Sequence, residues 1–315
     1  MIILPDMQLF AGTSHPALAA ALAKELNVPL GKIELISFSG GEQYVKFGET
    51  VRGKRVYIMQ TATDKPDSDL MQLFLICQAA RLSFAENISV IMPHFPYARQ
   101  DRVATPREPI SAKLVAHLME EAGANHVITL DLHSSQIQGF FSIPVDALNA
   151  YSIFAQYFRK KNLPDPIVVS PDVGGAKRAK KLADMLGAEL AIMHKTRPKK
   201  QEVEIVEVVG DIKGKTCIMV DDMIDTGGSL VSAKNALIAR GANPDVYAAA
   251  THAIFSKDAP TKLKEAGFAE IIVTDSVPTT NKEFDTLRIL PIAPLLAEVI
   301  GSIERGESVT EIYEK

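Results

Sequence analysis

The stretch Thr216–Ser229, TCIMVDDMIDTGGS, decides how the rest of this chain is read. Its apolar run, Cys217-Ile218-Met219-Val220, has the continuity of a buried strand. That strand is expected to end at Asp221 and Asp222, before a turn with a hydroxyl at each end, Thr226-Gly227-Gly228-Ser229. LVSAKNALIAR then resumes apolar spacing at helical period. Backbone N–H groups left free at such a turn and helix start can hold a phosphate. Carboxylates just ahead of it suit ribose hydroxyls or the shell of a Mg²⁺ ion. The glycines fit neither the GxxxxGK-Ser/Thr loop nor the GxGxxG fingerprint, so the phosphate is expected on a different skeleton. An ordinary strand–helix connection with solvated aspartates is the alternative at this point.

The chain around this stretch has 315 residues, enough for two domains of ordinary size. A hydrophobic content of 47% beside 23% charged residues belongs to a soluble globular protein. A formal charge of -4 argues against broad attraction to nucleic acid or membrane, and neither is expected as a partner. Cys77 and Cys217 lie far apart in apolar surroundings without a CxxC partner, and read as core residues in a reducing compartment. MIILPDMQLFAG lacks the basic and apolar regions of a signal peptide, and no apolar run reaches membrane-spanning length. Cytoplasm is the expected location.

The first half alternates strands and helices. Met1–Phe10 can supply a strand, and Ala17–Leu26 a helix with Pro16 in its first turn and His15 as a surface or turn residue. Ile33–Phe38 and Tyr44–Phe47 read as strands around Ser39-Gly40-Gly41-Glu42-Gln43. Phe38 could pack in the core or offer its ring to a planar ligand. Asp67–Leu82 carries Leu70, Leu73, Phe74 and Cys77 on one helical stripe. After the strand Ile88–Met92, the loop Pro93–Arg102 holds Arg99, Gln100, Arg102 and two aromatics. It forms either an anion- and base-binding surface or a solvated charged loop. His133 follows the strand Val127–Leu130 and Asp131. Its sparse surroundings argue against zinc and leave a structural role or contact with another cation.

The second half repeats this grammar after an apparent crossing at Phe141–Asp146. Asp172 follows the strand Ile167–Ser170 and precedes two glycines, where it could cap the next helix or reach a metal-bound water or sugar hydroxyl. His194–Gln201 is dense in positive charge and is expected as an irregular loop because of Pro198. Such a loop could close over a polyphosphate or merely be solvated. Glu202–Gly210 alternates as a hairpin or edge ribbon, and strand–helix alternation continues to a closing helix, Pro294–Arg305. The fold class is α/β with largely parallel central sheets.

Taken together, Phe38–Glu42, YARQD at Tyr97–Asp101, PISAKLVA at Pro109–Ala116, DLH at Asp131–His133, QIQGFF at Gln136–Phe141, SPD at Ser170–Asp172, KTR at Lys195–Arg197 and Val220–Ser229 span the chain. On these segments it closely resembles the ribose-phosphate diphosphokinases, or phosphoribosyl pyrophosphate synthetases. The resemblance implies two tandem type I phosphoribosyltransferase-like domains, 1–146 and 147–315, with the last helix packing back on the first. It also implies homodimers assembling into a hexamer. The 1-hydroxyl of ribose 5-phosphate would attack the β-phosphorus of Mg·ATP, releasing AMP. By resemblance, Asp225, Thr226, Gly227, Gly228 and Ser229 hold the 5-phosphate, and Asp221 and Asp222 face the ribose. Arg99 and Gln100 contact ATP, Phe38, Gly40 and Glu42 surround the adenine, His133 and Asp172 sit at Mg²⁺, and Lys195 and Arg197 act on the transferring group. Thr50, Arg52, Ser308 and Thr310 resemble regulatory positions for phosphate or ADP.

Such a transfer depends on positioning and charge stabilisation rather than on a protein nucleophile, and no Ser–His–Asp or Cys–His arrangement is apparent. Gly40 departs from a polar residue in many relatives and removes a side-chain contact near the adenine. Thr196 replaces an often charged residue but spares Lys195 and Arg197. Two rival readings are a phosphoribosyltransferase that consumes the activated sugar and a silent regulatory partner of a synthetase. Lys195 and Arg197 together with the second anion surface at Arg99 and Gln100 argue against the first. Retention of His133, Asp172, Lys195 and Arg197 argues against the second.

Overall fold

Residues 7–196 and 205–314 are described by the computed structural model. Two compact units divide them, one running to Asn149 and taking in Ser276–Pro278 and Ile292–Ile312, the other built from Ala150–Asp275 and Thr279–Pro291.

The first unit is built on β1 (Met7–Ala11), followed by α1 (Pro16–Leu26), an excursion of β2 (Ile33–Ser37) and β3 (Gln43–Phe47), then β4 (Arg55–Met59) and α2 (Pro66–Leu82). Next come β5 (Asn87–Met92), α3 (Ser111–Ala122), β6 (His126–Leu130), the 3-10 turn Ser135–Phe140 and β7 (Val145–Leu148). Strands β1-β4-β5-β6-β7 form one parallel sheet, whereas β2 and β3 pair only with each other, antiparallel. The central strands are nearly continuous in apolar residues because both faces are covered. Val56, Ile58, Val90 and Met92 meet Leu73, Ile76 and Cys77 of α2 and Val115 and Met119 of α3 in one cluster. His15, expected at the surface, is buried: its Nδ1 accepts from the Leu18 N–H at 3.3 Å and caps α1. Val145–Leu148, which begins inside the apparent crossing at Phe141–Asp146, joins β6 in register.

The second unit contains α4 (Tyr151–Lys161), β8 (Pro166–Ser170), α5 (Ala176–Leu186), β9 (Glu189–Thr196), β10 (Ile205–Val209), β11 (Thr216–Ile224) and α6 (Gly228–Ala239). It continues with β12 (Tyr247–Ala253), α7 (Ala259–Glu265), β13 (Glu270–Thr274) and β14 (Leu287–Leu290). Its sheet runs β10-β9-β8-β11-β12-β13-β14, parallel except for β10, which pairs antiparallel with β9. The expected edge ribbon is thus present. The strand before it extends through Thr196, so His194, Lys195 and Thr196, expected in an irregular loop, are instead paired with β10. Chain order reverses between β8 and β11, where an open α/β sheet places its ligand crevice at the strand C-termini.

Two further helices are α8 (Ala293–Arg305), which packs on α1 within the first unit, and α9 (Thr310–Glu314). Arg55 and Tyr57 of β4 hold Glu304 of α8: Arg55 Nη2 lies 2.6 Å from Glu304 Oε2, and the Tyr57 hydroxyl donates to Oε1 at 2.8 Å. Cys77 and Cys217 are both buried in core, and burial pushes their thiols up to about 12 and about 11. Among the described residues no helix is long and apolar enough to cross a membrane.

Candidate functional site

Strand β11 does not stop at the acidic pair. It continues through Asp221 and Asp222 to Ile224, because β12 keeps pairing with it from Tyr247 to Ala253. The pair is therefore held on rigid backbone at the C-terminal end of a central strand. Alternation along the strand separates the two side chains, leaving Asp222 buried at 2% and Asp221 half-buried. Arg178 joins them from α5, with Nη1 2.9 Å from Asp221 Oδ1 and 3.2 Å from Asp222 Oδ1. The Asp222 N–H also donates to Asp221 Oδ1 at 2.8 Å. Burial and the adjoining Asp222 carboxyl raise the Asp221 pKa to about 8 against the opposing charge of Arg178.

Asp172 lies at the end of β8, the strand beside β11 across the switch point. Its Oδ1 accepts from the Gly175 N–H at 2.8 Å, while Ser170 Oγ donates to its carbonyl at 2.7 Å. A side chain at Gly174 would come within 3.2 Å of that carboxylate, and one at Gly175 within 2.9 Å of Ser170 Oγ. The glycines allow the backbone to close around Asp172. Gly175, rather than Asp172, is the N-cap of α5.

Beyond Ile224 the chain turns through Asp225, Thr226 and Gly227 into α6. Gly227 adopts φ 72°, a left-handed conformation that glycine takes at little cost. No side chain caps this helix, and its first turn carries no acidic residue. Its initial N–H groups are thus available to an anion. The carbonyls of the turn face the other way. Asp225 accepts from the Ser256 N–H at 3.0 Å and Thr226 from Lys262 Nζ at 3.4 Å.

In the first unit, Arg99 and Gln100 sit in the loop after β5, both exposed. Gln100 is fixed at the start of α3, its carbonyl accepting from the Ala112 N–H at 3.2 Å and its Oε1 from Ser111 Oγ at 2.6 Å. Tyr97, with φ 59°, donates its hydroxyl to Asp67. His133 follows the neighbouring strand β6 and is exposed, beyond the buried Asp131 at φ 42°. Two non-glycine residues thus hold left-handed backbone, Asp131 directly after β6 and Tyr97 within the loop that follows the adjacent β5.

Phe38, Gly40 and Glu42 form the connection between β2 and β3. The Phe38 N–H donates to the Glu42 carbonyl at 2.8 Å, and the Gly41 N–H to the Phe38 carbonyl at 2.9 Å. Phe38 is 51% exposed, which removes the core-packing alternative, and its only aromatic neighbour among the described residues is Tyr44 at 6.3 Å. A Cβ on Gly40 would meet nothing within 4 Å.

Lys195 belongs to β9, paired with Val206 of β10, and Arg197 lies outside the described residues. Thr50, Arg52, Ser308 and Thr310 are all exposed. Arg52 lies over the Phe84 ring at 5.3 Å, and its N–H approaches Thr50 Oγ1 at 3.4 Å. Among the described residues no group of three or more His, Cys, Asp or Glu side chains could hold a metal ion.

Arg178 is the contact that sequence reading missed. Its position did carry a signal. A cation in the first turn of a helix opposes the helix dipole, so an acidic partner should compensate it.

Comparison with known proteins covers nearly the whole chain. Residues 7–123 match the family described as the N-terminal domain of ribose phosphate pyrophosphokinase, and residues 198–314 the phosphoribosyl synthetase-associated domain. The ribose-phosphate pyrophosphokinase of Oceanobacillus iheyensis is 44% identical over 310 residues, 98% of each chain. That of Aquifex aeolicus is 44% identical over 308 residues, covering 98% of this chain and 99% of its own. The crystal structure of phosphoribosylpyrophosphate synthetase from Mycobacterium smegmatis superposes with a TM-score of 0.91 at 44% identity, covering 96% of this chain and 99% of that one. With both halves matched and full-length relatives far above 30% identity, this chain belongs to the ribose-phosphate pyrophosphokinase family.

Proposed function

We propose that this enzyme transfers the β,γ-diphosphoryl group of ATP to the 1-hydroxyl of ribose 5-phosphate, giving 5-phosphoribosyl 1-diphosphate and AMP. The observation that carries this reading is the end of β11. Carboxylates on rigid backbone lead into an uncapped helix start, at the switch point of a chain aligned over 98% of its length with a member of this family.

The 1-hydroxyl oxygen bonds to the β-phosphorus, the bond from that phosphorus to the oxygen of AMP breaks, and the hydroxyl proton is released. The turn Asp225–Ser229 holds the 5-phosphate through its N–H groups, and Asp221 and Asp222 receive the ribose hydroxyls. Arg178 bridges the two carboxylates and partly neutralises them. Arg99 and Gln100 hold the nucleotide phosphates, while Phe38, Gly40 and Glu42 receive the adenine. Lys195 and Arg197 stabilise charge on the group in flight. Asp172 and His133 are assigned to Mg²⁺, which supplies neutralisation of the ATP phosphates when bound. The same reading makes 1–146 and 147–315 the two domains, in the cytoplasm, within homodimers that build a hexamer. Thr50, Arg52, Ser308 and Thr310 form its phosphate or ADP site.

The test is product analysis with Lys195→Ala and Arg197→Ala beside the parent enzyme. AMP should accumulate only when ATP and ribose 5-phosphate are both present. Each variant should lose turnover by about 100-fold or more with little change in ribose 5-phosphate affinity. Pyrophosphate release that needs a nucleobase, without AMP, would contradict the reading in favour of a phosphoribosyltransferase.

A further inference from the structure

The turn that opens α6 is braced from behind by the segment leading into α7. Ser256 donates its N–H to the Asp225 carbonyl at 3.0 Å, and the Phe255 N–H donates to the Ile224 carbonyl at 3.0 Å. Phe255 and Lys257, on either side of Ser256, have φ of 48° and 57°. Such backbone persists only where its surroundings enforce it. Phe255 is buried at 2%, its ring lies 6.2 Å from that of Phe284, and Lys282 Nζ holds the neighbouring Ile254 carbonyl at 2.7 Å. The next carbonyl of the turn, that of Thr226, lies 3.4 Å from Nζ of Lys262 on α7, which is also 3.4 Å from Asp258 Oδ1. Leu263 closes the back of the turn so tightly that a Cβ on Gly227 would approach it to 3.1 Å.

A trans peptide is planar, with its C=O and N–H directed to opposite sides. Drawing the Asp225 carbonyl toward Ser256 therefore turns the Thr226 N–H the other way. Drawing the Thr226 carbonyl toward Lys262 does the same for the Gly227 N–H. Two successive donors are thereby presented on the face opposite α7, where the helix start of α6 adds its own. We infer that Lys262 is a positioning residue for the 5-phosphate: acting through the Thr226 carbonyl, it holds the Gly227 N–H toward the phosphate and adds positive potential behind it. This rests on the assignment of Asp225–Ser229 to the 5-phosphate. A lysine there does what a backbone N–H does at Asp225, with a side chain that sequence changes can remove.

Lys262→Met, Lys262→Arg and, as a charge control on the exposed face of the same helix, Lys264→Met separate the possibilities. Steady-state kinetics with ribose 5-phosphate and calorimetric binding of ribose 5-phosphate would be read beside the melting temperature. Lys262→Met should raise the KM and Kd for ribose 5-phosphate roughly tenfold, the usual effect of losing a charged hydrogen bond, at nearly unchanged kcat and melting temperature. Lys262→Arg should restore most of the affinity, and Lys264→Met should behave as the parent. Parent-like affinity in Lys262→Met would overturn the inference while leaving the phosphate assignment standing. Failure of the parent enzyme itself to bind ribose 5-phosphate would instead overturn the assignment on which it rests. A loss of kcat and melting temperature in parallel with affinity would mark Lys262 as merely structural and overturn it too.

Discussion

Arg178 lies 2.9 Å from Asp221 and links the helix after β8 to the end of β11, the two strands flanking the switch point. The same guanidinium reaches the buried Asp222 at 3.2 Å. Removing it leaves two neighbouring carboxylates without that cation, one of them in the interior. Arg178→Leu should lower the unfolding free energy by about 3 kcal/mol, as breaking a buried pair from one side does. Urea denaturation checks this. A loss below about 1 kcal/mol would mean that Arg178 behaves as a surface charge.

The raised Asp221 pKa gives stability a pH dependence of known sign. A carboxyl that binds its proton more tightly when folded contributes fully at low pH. That contribution is lost as pH rises from the ordinary value of 3.8 through about 8. Asp221→Asn cannot take the charge, so its stability relative to the parent should improve across that window. With its half-buried position allowing solvent screening, the gain should be on the order of 1 kcal/mol. Urea midpoints measured near the two ends of the window would show it, and a difference that is flat or of opposite slope would refute the coupling. Ribose 5-phosphate affinity should fall in the same variant.

Glycines at two proposed binding positions should respond in opposite ways. Gly227→Ala meets a left-handed backbone and Leu263 together, and should cost about 1–2 kcal/mol as well as weakening ribose 5-phosphate binding. Gly40→Asp enters open space at ordinary φ, so stability should stay within about 0.5 kcal/mol. Its effect should appear in KM for ATP. Calorimetric melting and KM for each substrate separate the two cases. An unstable Gly40→Asp would contradict the open setting of that turn.

Glu304 offers a test far from the chemistry. Its side chain is 1% exposed and carries Arg55 and the Tyr57 hydroxyl at once. Glu304→Ala should cost about 3 kcal/mol by leaving Arg55 unpaired and Tyr57 without its acceptor. Hydrogen exchange should then show α8 opening before the rest of its unit. Uniform exchange across the unit would contradict a local tie.

The alternation of apolar runs and helical stripes made the parallel sheets legible, because strands covered on both faces have little choice of composition. The glycine turn was legible for a similar reason: φ 72° at Gly227 restricts the residue that can sit there. Strand ends were not. The passage of β11 through Asp221 and Asp222 depends on pairing with β12, which local composition does not reveal. Contacts between sequence-distant elements were also hidden, as with Arg178 and the acidic pair, or Lys262 and Thr226. His15 misled because a capping histidine and a solvated one look alike until the N–H of Leu18 is in place. The ribbon carrying Phe38 was ambiguous because an aromatic at a strand end serves core and ligand equally well.

The most direct measurement follows the phosphorus. With ATP labelled at the β-phosphorus and ribose 5-phosphate in excess, the label should appear in 5-phosphoribosyl 1-diphosphate, with one AMP formed for each sugar consumed. Formation of ADP with a ribose bisphosphate free of the label would show transfer of the γ-phosphoryl group alone and contradict diphosphoryl transfer.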